Sequence, residues 1–403
     1  MKLPLEGIRV LDLTTMMNGP SGGYQLADLG AEVIKIEMPV RGDAARGAQS
    51  IFGTATDVQG LNMLFDMVNR GKRSLTLDLS KQEGKEVLYR LVEKSDVFLT
   101  NYRKDQLISK GIDFDTLSQY NTQLVFASTT GYGSRGPDMD MRAYDPAVQA
   151  YSGLMTTIGE RHMPPVIAMG ALLDQLGGTM LAYSVVIALL VRERLGIGQE
   201  VETSMLGNAV HLQYLNMNSY LLRGRPLARP IREKARNPLT IHYQCSDDKW
   251  IMLSEMQSDR YWEQFCTAIG REELTNDSKF NTALKRRETC KELISILDEI
   301  FATKTRDEWL KIFNEKCPFA YAPVHTIGEA AESDQVKENE YIVDANHPIL
   351  GRMRQTGIPF RFSKTPGQVR CGGPELGQHT EEVLLEFGYS WDEISNLKEE
   401  EVI

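Results

Sequence analysis

The sequence predicts an α/β fold on a mostly parallel, Rossmann-like sheet, with a smaller α+β domain after it. Three observations lead there. Short β-branched runs alternate with helical patterns through the first third of the chain. Among them, Gln123–Thr129 (QLVFAST) reads as a buried strand. Each run is separated from the next by enough chain for a crossover helix.

Ile8–Leu13 (IRVLDL) reads as the first strand, Thr14–Pro20 as a loop, Ser21–Leu29 as a short helix and Glu32–Glu37 (EVIKIE) as the second strand. That unit is about 30 residues long, the size of a βαβ motif. Arg73–Leu77, Asp96–Thr100 and Gln123–Thr129 continue the strand series. A helix is expected over Lys81–Lys94, where Val87, Leu88, Leu91 and Val92 share one face. Ligands of such sheets bind beyond the carboxyl ends of the strands.

Pro164–Ser204 carries the candidate nucleophile, Asp174. A long helix is expected to start there, run through Met180–Val191 and stop at Gly196 and Gly198. An acidic residue at a helix start can simply be a cap on the positive end of the macrodipole. Gly177 and Gly178 in the first turn point to more. Each glycine costs a helix up to about 1 kcal/mol relative to alanine, so the pair calls for close approach of a ligand or of another backbone. Met180–Val191, interrupted by Tyr183 and Ser184, is too short to cross a bilayer and reads as a core helix.

A chain of 403 residues suggests two or three units. The net charge of −10 argues against nucleic acid as a partner, though a few local cations suffice for a small anion. Five cysteines without a CxxC pair indicate neither a disulfide framework nor a zinc site, and suit a reduced, cytoplasmic protein. MKLPLEGIRV lacks the apolar core of a signal peptide. His211, His242 and His379 read as structural or solvent-exposed.

Glu37 ends the second strand where a ribose-binding acid would sit, which invites a nicotinamide reading. Against it, the first loop is NGPSGG rather than GxGxxG, and Pro20 withholds a backbone donor. Asn101, Tyr102 and Arg103 follow a strand directly, and could flank an adenine face and reach a phosphate. Arg142 and Tyr144 lie in an irregular Gly- and Pro-rich loop, and Asp145-Pro146 reads as an N-cap followed by proline at N1. Met205–Leu222 has helical apolar spacing suited to core packing or a subunit contact. Residues 1–222 then read as a large domain, 223–330 as a small one entered through the basic, Pro-rich Arg223–Pro238, and 331–403 as a C-terminal segment.

Together LEGIRVLDLT, LADLGAEVIKIE, NRGKRSLTLDL, the loop around Gly131-Tyr132-Gly133, Tyr144-Asp145, Asp174 and PELGQHTEEVLLEFGY resemble the class III coenzyme A transferases, the CaiB/BaiF family, over essentially the whole chain. NYRKDQLISKGID and KTRDEWLKIF are most similar to its branch acting on 2-hydroxy and α,β-unsaturated acids.

The resemblance implies an acyl-CoA:carboxylate CoA transferase with Asp174 as nucleophile, passing through aspartyl anhydride and aspartyl–CoA thioester intermediates. It implies coenzyme A as substrate, no prosthetic group or metal, and small carboxylic acids as the other partners. It also implies an interlocked homodimer whose C-terminal segment returns to the large domain. The helix start would keep Asp174 ionised, and the adjacent glycines would leave room for the thioester. Met17, Asn18, Leu77, Asp78, Leu79, Asn101, Tyr102, Arg103, Arg142 and Tyr144 fall where the family meets CoA.

Three positions depart from the family pattern. Met38 and Ser109 stand where some members carry arginine, with Arg41 and Lys110 nearby, and the glycine-rich loop of the formyl-CoA branch is missing around Lys234–Pro238. That makes oxalate and formate poorer candidates. The rival within the superfamily, an α-methylacyl-CoA racemase, needs a histidine base where Tyr144 stands, and a phenol of pKa about 10 serves poorly.

Overall fold

The computed structural model describes residues 2–403. Its larger compact unit comprises the chain up to Thr156, Ile167–Pro226 and Asn339–Ile403. Six strands form the central sheet: β1 (Arg9–Leu13), β2 (Glu32–Glu37), β3 (Arg73–Thr76), β4 (Val97–Thr100), β5 (Val125–Thr130) and β6 (Gln199–Ser204). Their order is β6-β5-β4-β1-β2-β3, with every neighbouring pair parallel. That is the doubly wound order, whose switch point lies between β1 and β4.

Alternate side chains feed two separate cores, as strict strand periodicity requires. Leu11, Ile34, Ile36, Leu75, Phe98 and Phe126 face one way. They pack on Val87, Leu88 and Leu91 of α2 (Gln82–Val92) and on Val383, Leu384 and Phe387 near the C-terminal helix Thr380–Glu386. Val10, Val33, Val97, Leu99 and Val125 face the other way. Their partners are Leu26 and Ala27 of α1 (Asn18–Asp28) and Leu181, Val185, Ala188 and Leu189 of the long helix Leu172–Leu195. Lys35, which alternation along β2 would leave facing a core, is fully buried and paired with Asp43 at 2.8 Å.

Two expectations need correction here. The first helix begins at Asn18, three residues earlier than Ser21, so the first loop is shorter than Thr14–Pro20. The long helix has 24 residues, and by length and composition it suffices to cross a membrane. Length therefore does not make it a core helix; the packing of its Leu181, Val185 and Leu189 face does.

Thr157–Val166 and Leu227–Glu338 form the second unit. Strands β7 (His242–Gln244), β8 (Trp250–Leu253) and β9 (Tyr321–Val324) make an antiparallel sheet in the order β7-β8-β9. Tyr243, Trp262, Phe265, Phe301, Trp309 and Phe313 fill its core. Within the larger unit, the C-terminal stretch adds a hairpin of β10 (Ile342–His347) and β11 (Gly351–Thr356).

Candidate active site

Asp174 is the third residue of the helix Leu172–Leu195, hereafter α4, with α3 the helix Asp145–Tyr151. Ala171 precedes α4 in a left-handed conformation (φ 58°) and offers no side-chain cap. The cap comes from elsewhere. One oxygen of Asp145 accepts the backbone N–H of Leu173 and, at 3.2 Å, that of Asp174. Its other oxygen accepts from Gln149 Nε2 at 2.6 Å. Asp145 was expected to cap its own helix ahead of a proline at N1. Instead Asp145 is itself the first residue of α3, Tyr144 is the cap position, and the carboxylate serves a helix 27 residues downstream.

This arrangement works against the ionised form that the helix start was expected to favour at Asp174. Burial, and then the negative charge of Asp145, push its carboxyl up to about 7. Both effects disfavour the charged form and outweigh the dipole.

Of the two approaches that the glycine pair suggested, a ligand or another backbone, the structure has the backbone. Helix α1 crosses α4 so closely that a Cβ on Gly178 would overlap Ser21 and come within 2.8 Å of Gly22 N. A Cβ on Gly22 would lie 3.1 Å from the Gly178 carbonyl oxygen. A Cβ on Gly177 would collide with the Asn18 amide. The room that the glycines provide is therefore filled by α1, and it seats Asn18 against the first turns of α4. Thr129, at the end of β5, donates to Asn18 Oδ1 at 2.8 Å.

The loop from β1 into α1 is clamped from beneath. Asp43 Oδ1 accepts from Thr15 Oγ1 at 2.7 Å and from Met16 N at 2.9 Å. Lys35 Nζ donates to Thr14 O at 2.9 Å. Asn101 grips the same loop from the side, its Oδ1 accepting from Thr15 N at 2.9 Å and its Nδ2 donating to Thr15 O at 2.8 Å. These bonds hold Met16 at φ 68°, a strained region for a residue with a side chain. Burial alone would raise the Asp43 carboxyl, but the Lys35 ammonium and the backbone N–H groups hold it below its ordinary value. Glu37 is similarly engaged, accepting two bonds from Arg46 and one from Ser74.

A cavity of about 900 Å³ opens at the carboxyl ends of β1, β4 and β5, wholly within the larger unit. It brings together Met17, Asn18, Asn101, Arg103, Arg142, Tyr144 and Asp174. Leu77 and Leu79 are instead buried core residues, and Tyr102 packs against the same core. Asp78 turns to the hydroxyl and backbone of Ser80. None of these four reaches the cavity wall. Ile51, Phe52, Ile108, Met139, Met141 and Met205 do, and they give it an apolar lining that the loops' polar residues did not announce. Thr129 and Asp145 were missed as site residues as well, since each acts through another residue rather than through a motif of its own.

The sequence profile of the CoA-transferase family III matches residues 5–380. The chain is 31% identical over 402 residues to a cinnamoyl-CoA:phenyllactate CoA-transferase of Clostridium sporogenes, covering 99% of this chain and 97% of that one. It is 30% identical over 428 residues to a formyl-CoA:oxalate CoA-transferase of Shigella sonnei, covering 100% of both. Among solved structures, a CaiB/BaiF family protein from Brucella suis superposes with a TM-score of 0.86 at 28% identity, covering 96% of this chain and 100% of that one.

Proposed function

Since the chain belongs to CoA-transferase family III, and is thus a transferase acting on acyl-CoA, we propose that it moves CoA between carboxylic acids through covalent intermediates on Asp174. An Asp174 oxygen adds to the donor's thioester carbon, and the C–S bond breaks with its electron pair leaving on CoA thiolate. The product is an aspartyl–acyl anhydride. The thiolate then adds to the aspartyl carbonyl, expelling the donor acid and leaving an aspartyl–CoA thioester. An incoming carboxylate reverses the two steps. No proton is consumed, and the partners chiefly need holding in place away from water.

The observation that carries this reading is Asp174 in the cavity with its carboxyl pushed up to about 7. Such a carboxylate is a stronger nucleophile than a substrate acid of pKa about 4. It is also the poorer leaving group, so thiolate attacking the anhydride is better served at the aspartyl carbonyl, where the substrate acid departs. That biases the anhydride forward. Arg103 and Arg142, on the cavity wall, suit the phosphates of CoA. Sequence identity of 31% to one relative and 30% to the other does not separate a phenyllactate-type from an oxalate-type substrate. The lining does favour one: Phe52, Met139, Met141 and Met205 suit a branched or aromatic acyl group better than oxalate. Action as a cytoplasmic homodimer is part of the same proposal.

Quenched incubation with cinnamoyl-CoA and phenyllactate, followed by peptide mass spectrometry, tests it. Acyl and CoA adducts are expected on the Asp174 peptide, with the CoA thioester in excess. Asp174→Ala should lower transfer by about 10⁴-fold or more. Adducts on another residue, or transfer that survives the substitution, would overturn the assignment.

A further inference from the structure

We propose that the side-chain amide of Asn18 is an oxyanion donor for the acyl transfers at Asp174. The role rests on the transferase chemistry above and goes beyond contact with CoA.

Asn18 is 7% exposed, and its Nδ2 is buried with no hydrogen-bond partner among the described residues. An unpaired buried N–H is costly and uncommon. Here it is the free end of a side chain whose other end is fixed, because Oδ1 accepts from the Thr129 hydroxyl at 2.8 Å. The amide is also packed against α4. A Cβ on Gly177 would lie 2.8 Å from Asn18 Cγ and would collide with Nδ2. Gly177 stands three residues beyond Asp174, on the same face of α4. Cβ bonds on a helix tilt toward its N-terminus, so the amide lies over the turn from which the Asp174 side chain emerges. Asn18 and Asp174 both line the cavity, yet no hydrogen bond joins Nδ2 to the Asp174 carboxylate.

A fixed, desolvated donor with no partner in the resting protein is what a transient acceptor requires. When an Asp174 oxygen bonds to the thioester carbon, the carbonyl π pair moves onto oxygen, and Nδ2–H donates to that oxyanion. The pair returns as the C–S bond breaks and thiolate leaves. The same donor serves when thiolate adds to the aspartyl carbonyl.

The test is single-turnover acylation of full-length protein by cinnamoyl-CoA, read as adduct on the Asp174 peptide. Asn18→Asp preserves shape and the acceptor for Thr129; Asn18→Ala removes the amide outright. We expect the acylation rate to fall about 100-fold in Asn18→Ala and further in Asn18→Asp, where like charge opposes the oxyanion. The KM for acyl-CoA should stay within about 3-fold. Should the alanine variant fail to fold, the aspartate variant decides. Acylation at the wild-type rate, or a loss confined to KM, would overturn the role of Asn18 while leaving Asp174 as nucleophile. Absence of an Asp174 adduct in the wild-type protein would overturn both.

Discussion

Replacing Asp174 by asparagine should stabilise the protein, and only where Asp174 is charged. The native carboxyl, pushed up from 3.8 to about 7 by burial and by Asp145, holds its proton more tightly than the unfolded chain does. Between those values the native state binds more protons, so wild-type stability falls as pH rises, and above about 7 the full loss is present. A shift of about three units corresponds to at most about 4 kcal/mol. The side chain borders an open cavity, and solvent screening should reduce this to about 1–3 kcal/mol. For a unit of this size, about 1–2 °C of melting temperature accompanies each kcal/mol. Thermal unfolding of wild type and Asp174→Asn at about pH 4 and about pH 8 should therefore show melting temperatures close together in acid. At about pH 8 the variant should be higher by about 2–5 °C. A gap that is the same at both pH values, or larger in acid, would refute the argument that burial and Asp145 set the charge state of Asp174.

Two further substitutions probe the scaffold. Gly178→Ala forces α1 and α4 apart, since its Cβ would meet Ser21 and the Gly22 backbone. A cost of about 1–3 kcal/mol in denaturant unfolding is expected, with kcat down about 100-fold as Asn18 and Asp174 lose register; full activity at wild-type stability would count against that packing. Asp43→Ala takes the carboxylate at 2.8 Å from the fully buried Lys35 and releases Thr15 and Met16. It should cost about 3–5 kcal/mol and raise KM for acyl-CoA, and an unchanged KM would show that the clamp on the first loop does not matter to binding.

What the sequence disclosed and what it hid divide along physical lines. Strands such as Val97–Leu99 were legible because burial on both faces leaves a continuous apolar run, and Val33–Ile36 because only Lys35 interrupts it. The edge strand β6 was not, because Glu200 and Glu202 break that run where one side of the sheet ends. Asp174 stood out through its place before a long apolar helix, and the loops after β1, β4 and β5 follow from the topology. That the Leu77 and Leu79 side chains turn into the core was not legible, because part of what covers them is helix Thr380–Glu386, some 300 residues later in the chain.

The same distinction explains why the chemistry of the site was less legible than its location. The glycine pair signalled close approach of a ligand or of another backbone, but a glycine is silent about which, and here α1 fills the space. The charge state of Asp174 was read from its local helix, where the dipole favours ionisation. It is set instead by burial and, after it, by Asp145, folded back from 29 residues upstream to take the first N–H groups of α4. That carboxylate satisfies the donors that would otherwise stabilise negative charge at the helix start, and adds a like charge of its own. One residue thus caps the helix and adds to the basicity of Asp174. A single sequence can show that a carboxylate sits at a helix start, but whether it is a cap or a nucleophile turns on which carboxylate does the capping, and that is a tertiary fact.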